Sequence, residues 1–116
     1  GFMDMTEDEK LVESHTMPIS KRPKFPGGKQ GLIRYLQRNL VYPEPAKMNG
    51  IEGTVLVRLT IGKDGSIQDV EVIESVSPSI DEAAKKVVKS MPSWEPGHQG
   101  GRNVRVTYKL PIRFQL

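Results

Sequence analysis

The chain contains no cysteine, so neither a disulfide framework nor a thiolate nucleophile is available to it. A zinc site would have to draw on His15, His98 and carboxylates. Aromatic residues make up only 6% of the sequence and hydrophobic residues 36%, which limits 116 residues to one small domain with a modest core and a tail. No apolar run approaches the roughly 18 residues of a membrane span, and no charged n-region leads into an apolar h-region. Gly1 in place of an initiator Met is expected of a chain trimmed behind its anchor. Catalytic signatures are missing too: there is no Gly-x-Ser-x-Gly elbow, no His-Glu-x-x-His helix and no Gly-x-x-x-x-Gly-Lys-Ser/Thr loop. His98 stands beside Gln99 in a glycine-rich loop and His15 in an irregular head, and neither joins an acid, base or nucleophile. The residues therefore point to a binding or coupling module, with no catalytic site, metal or cofactor expected.

What the chain does have is an uneven charge. The formal net charge is +3, but residues 1–14 carry Asp4, Glu7, Asp8, Glu9 and Glu13 against Lys10, a balance of −4, which leaves +7 for the remainder. A basic body suits nucleic acid, an anionic membrane or an acidic peptide, and it also serves plain solubility. A nucleic-acid module is the competing reading from composition, although stacked aromatics of the kind used by sheet-type RNA readers are lacking.

The first 24 residues mix charges, Ser, Met and prolines without periodicity and are expected to be linker or tail, with the domain spanning 25–116. Phe25-Pro26-Gly27-Gly28 reads as a structural turn into a helix, since it lacks the spacing of a phosphate loop. From Lys29 to Leu40, Leu32, Tyr35, Leu36 and Leu40 recur at helical spacing, and Pro43 and Pro45 stop the helix. Thr54–Ile61 alternates with Val55, Val57, Leu59 and Ile61 on one face. Asp64-Gly65 then predicts a hairpin into a return strand over Ile67–Ser75, in which Ile73 breaks phase and suggests a bulge or strand end. Ser79 and Glu82 form a capping-box pattern ahead of a second helix carrying Ile80, Ala83, Ala84, Val87, Val88 and Met91. Trp94, in the loop that follows, is expected to plug one end of the core.

The last legible stretch, Asn103–Phe114, alternates strictly: Val104, Val106, Tyr108, Leu110, Ile112 and Phe114 are apolar, while Arg105, Thr107, Lys109 and Arg113 are polar. It reads as one long half-buried strand. Pro111, on its charged side, has no N–H to give to a ladder and places the strand at a sheet edge. The order helix, hairpin, helix, strand gives an α+β fold, two helices packed on a three-stranded antiparallel sheet.

Taken together, Phe25-Pro26-Gly27-Gly28, Tyr35-Leu36, Asn39-Leu40, Tyr42-Pro43, Gly50-Ile51-Glu52-Gly53, Asp64-Gly65, Ile80-Asp81-Glu82-Ala83-Ala84, Trp94-Glu95-Pro96-Gly97 and Pro111-Ile112-Arg113-Phe114 resemble the C-terminal domain of TonB-family energy transducers, in a version like that of Bacteroidetes-type bacteria. The resemblance covers about residues 25–116. It implies a periplasmic domain, anchored to the inner membrane through a preceding segment, that works with ExbB and ExbD and grips the TonB box of outer-membrane transporters as an added strand. By that likeness the partner-binding residues would be Asn103, Val104, Arg105, Val106, Thr107, Tyr108 and Lys109, with Asn39 and Tyr42 nearby. The basic side chains of that edge would favour acidic residues in the docked peptide. The resemblance equally fits a TonB-like domain fused to a membrane sensor peptidase, and it leaves room for a homodimer formed by swapped strands.

Overall fold

A computed structural model describes residues 21–116. Its elements run α1 (Gly28–Asn39), α2 (Glu44–Met48), β1 (Gly53–Ile61), β2 (Ile67–Glu74), α3 (Pro78–Lys89), β3 (Gly97–Gln99), β4 (Arg102–Val104) and β5 (Val106–Phe114). Strands β2, β1 and β5 form an antiparallel sheet in that spatial order, and β3 and β4 make a separate small hairpin. The alternating residues behave as their spacing predicts. Val55, Val57, Leu59 and Ile61 of β1 lie beside Ile112, Leu110, Tyr108 and Val106 of β5, and all but the partly buried Tyr108 are buried. Against this face lie Leu32 and Leu36 of α1 and Ile80, Ala84, Val87 and Val88 of α3, so each helix hides one stripe. The Tyr35 hydroxyl meets the Ser90 hydroxyl at 2.6 Å and ties α1 to the end of α3.

Strand β2 carries two irregularities. Leu56 faces Glu74 and Val57 faces Val72, which leaves Ile73 as the extra residue that its broken phase suggests. Between Arg58 and Thr60 the register slips again, leaving Asp69 and Val70 opposite Leu59, with Asp69 at φ 46. Asp and Asn tolerate this left-handed region better than other non-glycine residues. The intervening turn is held locally, because Asp64 Oδ1 accepts from the Ser66 amide at 3.0 Å and the Ser66 hydroxyl at 2.6 Å. Those bonds hold the Asp64 carboxyl below its usual range.

Helix α3 starts earlier than the Ser79–Glu82 pattern implies. Ser77 is its N-cap, accepting from the Ile80 amide at 3.3 Å, and Pro78 follows at the first helical position. Asp81 reaches back to the Val76 amide at 2.9 Å and to the Ser75 hydroxyl. Replacing Ser77 with Ala is therefore expected to lower stability by about 1 kcal/mol, while Ser79→Ala should stay within about 0.5 kcal/mol of the parent. Urea midpoints at unchanged slope measure both.

The described residues begin with two backbone bridges. Lys21 and His98 exchange backbone bonds of 3.1 and 2.8 Å, and Lys24 and Glu95 exchange bonds of 3.0 and 2.8 Å. Phe25 then turns into the core, its ring 5.6 Å from that of Trp94 and 5.5 Å from that of Tyr35. Trp94, only 3% exposed, closes this end of the core as expected.

Candidate functional site

Two features depart from a single strand over 103–114. Val104 and Val106 belong to different sheets, with Arg105 in neither, because Gly100 and Gly101 turn the chain so that Asn103 lies opposite His98 and Val104 opposite Gly97. Pro111, expected on a solvated charged face, is buried. It nevertheless lies on the strand that forms the sheet's edge, and among the described residues no strand pairs with the outer side of β5.

Pro111 also settles which backbone groups that outer side presents. It faces Leu56 within an unbroken antiparallel register. A hydrogen-bonded pair would require each residue to donate an N–H to the other, and proline has none, so this is a non-hydrogen-bonded pair. The ladder alternates. Val106, Tyr108, Leu110, Ile112 and Phe114 thus bond to β1, while Thr107, Lys109 and Arg113 direct N–H and C=O outward and Pro111 directs a carbonyl alone. On the N-terminal side of Pro111, the edge offers donors at Thr107 and Lys109.

The structure spreads the nine residues singled out in the sequence over several places. Thr107, Tyr108 and Lys109 are half-buried and form the middle of this edge, with buried Val106 beginning it. Arg105 turns away from the edge: its Nε donates to Gln68 Oε1 at 3.1 Å and its Nη2 to Asp69 Oδ2 at 3.0 Å, across the end of β1. Asn103 Nδ2 donates to the Lys63 carbonyl at 3.0 Å, which fixes the β3–β4 hairpin to the β1–β2 turn. Tyr42 sits at the opposite end of β5, where its ring is 5.6 Å from Phe114 and its hydroxyl donates to the Ile51 carbonyl. Partial burial, and after it the Glu52 carboxylate, push that phenol above its ordinary value. Asn39 back-bonds to the Tyr35 carbonyl at 2.8 Å and, with Val41 and Pro43, lines a groove against Ala83 and Val87 of α3. The engagement of Arg105 was beyond sequence reasoning, since its partners lie 36 and 37 residues away.

The outer face of the sheet is a mixed-charge surface. Arg58 pairs with Glu71 at 2.8 Å, and Thr60, Thr107 and Lys109 share the same shallow depression. Exposed pairs of this kind contribute little stability, but they interleave the basic charge with carboxylates.

Comparison with known proteins gives this geometry a context. The family described as Gram-negative bacterial TonB protein C-terminal matches residues 38–116. The chain is 38% identical to the TonB protein of Helicobacter pylori (strain ATCC 700392 / 26695) over 76 residues, which is 65% of this chain and 25% of that protein. It is 42% identical to the TonB protein of Pseudomonas aeruginosa over 66 residues, 55% of this chain and 19% of that protein. It thus spans about a quarter or less of the length of these relatives. Two solution NMR structures of the C-terminal domain of H. pylori TonB resemble it, one with a TM-score of 0.58 at 31% identity, covering 73% of this chain and 77% of that one. The other gives 0.57 at 28% identity, covering 74% and 90%.

Proposed function

The chain belongs to the family of Gram-negative bacterial TonB protein C-terminal domains, and on that premise we propose that it is the receptor-gripping end of a periplasmic energy transducer. In this reading a preceding segment anchors the protein in the inner membrane beside ExbB and ExbD, and the domain carries the effect of proton motive force to outer-membrane transporters. It does so by binding, without catalysis, the TonB box that each transporter presents as a short extended peptide.

The observation that carries the reading is the edge of β5, unpaired on its outer side by any strand among the described residues, whose Thr107 and Lys109 direct backbone donors and acceptors outward. An incoming strand obtains its affinity from such main-chain groups and tolerates varied side chains, which suits one transducer serving several receptors. Pro111 ends the run of donors, so pairing is centred on 107–109 rather than on 103–110. Nucleic-acid binding draws less support. Arg58 and Arg105, two guanidinium groups at that surface, are held by Glu71 and Asp69, whereas phosphate contacts need cations available to release counterions.

Titration of the 15N-labelled chain with TonB-box peptides is expected to shift the amides of Thr107–Leu110. Shifts confined to the groove of Val41, Ala83 and Val87, with the β5 edge silent, would overturn strand docking.

A further inference from the structure

Beside the open edge, on the helix side of the sheet, lies a cavity of about 60 Å³ lined by Lys24, Phe25, Gly28, Lys29, Trp94 and Tyr108, among others. Three observations bear on its wall. The indole Nε1 of Trp94, buried with its ring, has no hydrogen-bond partner among the described residues. A buried donor left in that condition calls for an explanation. Helix α1 begins here, twelve residues long, with Gly27 at φ 84 as its N-cap, no side-chain cap and no acidic residue in its first turn. Its positive end is therefore uncompensated by any carboxylate of its own. Two lysines complete the wall. The cavity is thus built of donors and positive charge on an aromatic floor, and none of its described lining residues is acidic.

Its position relates it to the docked strand. In an antiparallel added strand bonded to Thr107 and Lys109, the residue opposite Tyr108 makes a non-hydrogen-bonded pair and points to the same side as Tyr108. That is the helix side, where Tyr108 borders the cavity. Cross-strand neighbours in such pairs have Cβ atoms roughly 5 Å apart, which brings a short side chain to the mouth. The volume is enough for a carboxylate head.

We propose that this cavity is a carboxylate subsite, which receives an Asp or Glu side chain carried by the partner strand opposite Tyr108, with Trp94 Nε1 donating to it and Lys24 and Lys29 flanking it. The inference rests on strand docking at β5 and adds a side-chain preference to it. Charge-assisted bonds from a buried donor are stronger than neutral ones, so a neutral isostere should be distinguished.

The test uses the 116-residue chain and strand-forming peptides in which a single Glu is moved through successive positions, each paired with a Gln counterpart. Trp94 is the sole tryptophan, so its indole resonance and fluorescence report on the cavity alone. At one position the Glu peptide is expected to bind about tenfold tighter than the Gln peptide and to shift the indole resonance. That preference should vanish in Lys24→Gln, whose side chain is exposed, and in Trp94→Phe. Equal binding of Glu and Gln at every position, with Thr107–Lys109 amides still shifting, would overturn the subsite and leave strand docking standing. No shift at 107–109 with any peptide would overturn both.

Discussion

A Thr107→Pro substitution is expected to leave the domain folded and to weaken peptide binding at least tenfold. Thr107 directs its N–H away from β1, as the alternation set by Pro111 requires. Losing that donor costs the sheet no ladder bond, and the same strand already accommodates Pro111 in unbroken register. A docked strand is affected twice: it loses one of the two donors on the N-terminal side of Pro111, and it meets a ring where its own backbone must come within about 4.8 Å. One net hydrogen bond contributes about 1 kcal/mol, and the steric term adds to it, so affinity should fall at least tenfold, equivalent to about 1.4 kcal/mol. Tyr108→Pro reverses the pattern, since Tyr108 bonds to Leu59 and its loss should unfold the domain. Circular dichroism and peptide titration on the two variants separate the cases. A Thr107→Pro variant that folds and binds like the parent would refute docking at this edge.

The second large effect is expected at Gly65. It sits at φ +86, and a Cβ placed on it would lie 1.8 Å from the Trp94 carbonyl oxygen and 3.0 Å from the carbonyl carbon. Backbone atoms cannot rotate away as a side chain can. The Trp94 amide also donates to the Gly65 carbonyl at 2.8 Å, so any retreat breaks that bond and loosens the plug. Left-handed strain of about 1–2 kcal/mol, a lost hydrogen bond of about 1 kcal/mol and displacement of Trp94 together put Gly65→Ala at about 3 kcal/mol or more. In a domain of this size that lowers Tm by more than about 10 °C. Gly50→Ala is the control, because Gly50 has φ +64 but nothing within 4 Å of the added Cβ. It should lose only the backbone term. Equal losses at both positions, read by calorimetry, would show that the contact with Trp94 carries no weight.

Gly65 illustrates what was legible in the sequence and what was not. Asp64-Gly65 announces a turn, and the turn is there; that the same glycine is pressed against a tryptophan 29 positions on is a tertiary fact with no local mark. The sheet faces and helix stripes were readable because each is a period in one short window, from Val55–Ile61 to Ile80–Val88. The break at Arg105 was hidden for the same reason, since Val104, Arg105 and Val106 keep the alternation intact across it. Its signal lay elsewhere, in Gly100-Gly101, a glycine pair that folds Arg102–Val104 onto Gly97–Gln99. Ser77 was overlooked as the helix cap although Pro78 after it marks a first helical position. At the candidate site, the edge status of β5 followed from Pro111, whereas the orphan indole donor required the packed structure.

The two backbone pairs at the head of the domain, Lys21 with His98 and Lys24 with Glu95, matter for how the fold bears load. Among the described residues, a tension applied at residue 21 meets four backbone hydrogen bonds, arranged as two separate bridges, before it reaches Phe25 and the core. Pulled from that end, the bridges are loaded in sequence, with Lys21 taking the strain ahead of Lys24. Residues 21–24 then peel from the 95–98 segment while β1 and β5, joined along nine residue pairs, keep their register. The domain can thus lengthen at its base under force while β5, the edge at which we propose that a partner strand docks, stays paired to β1.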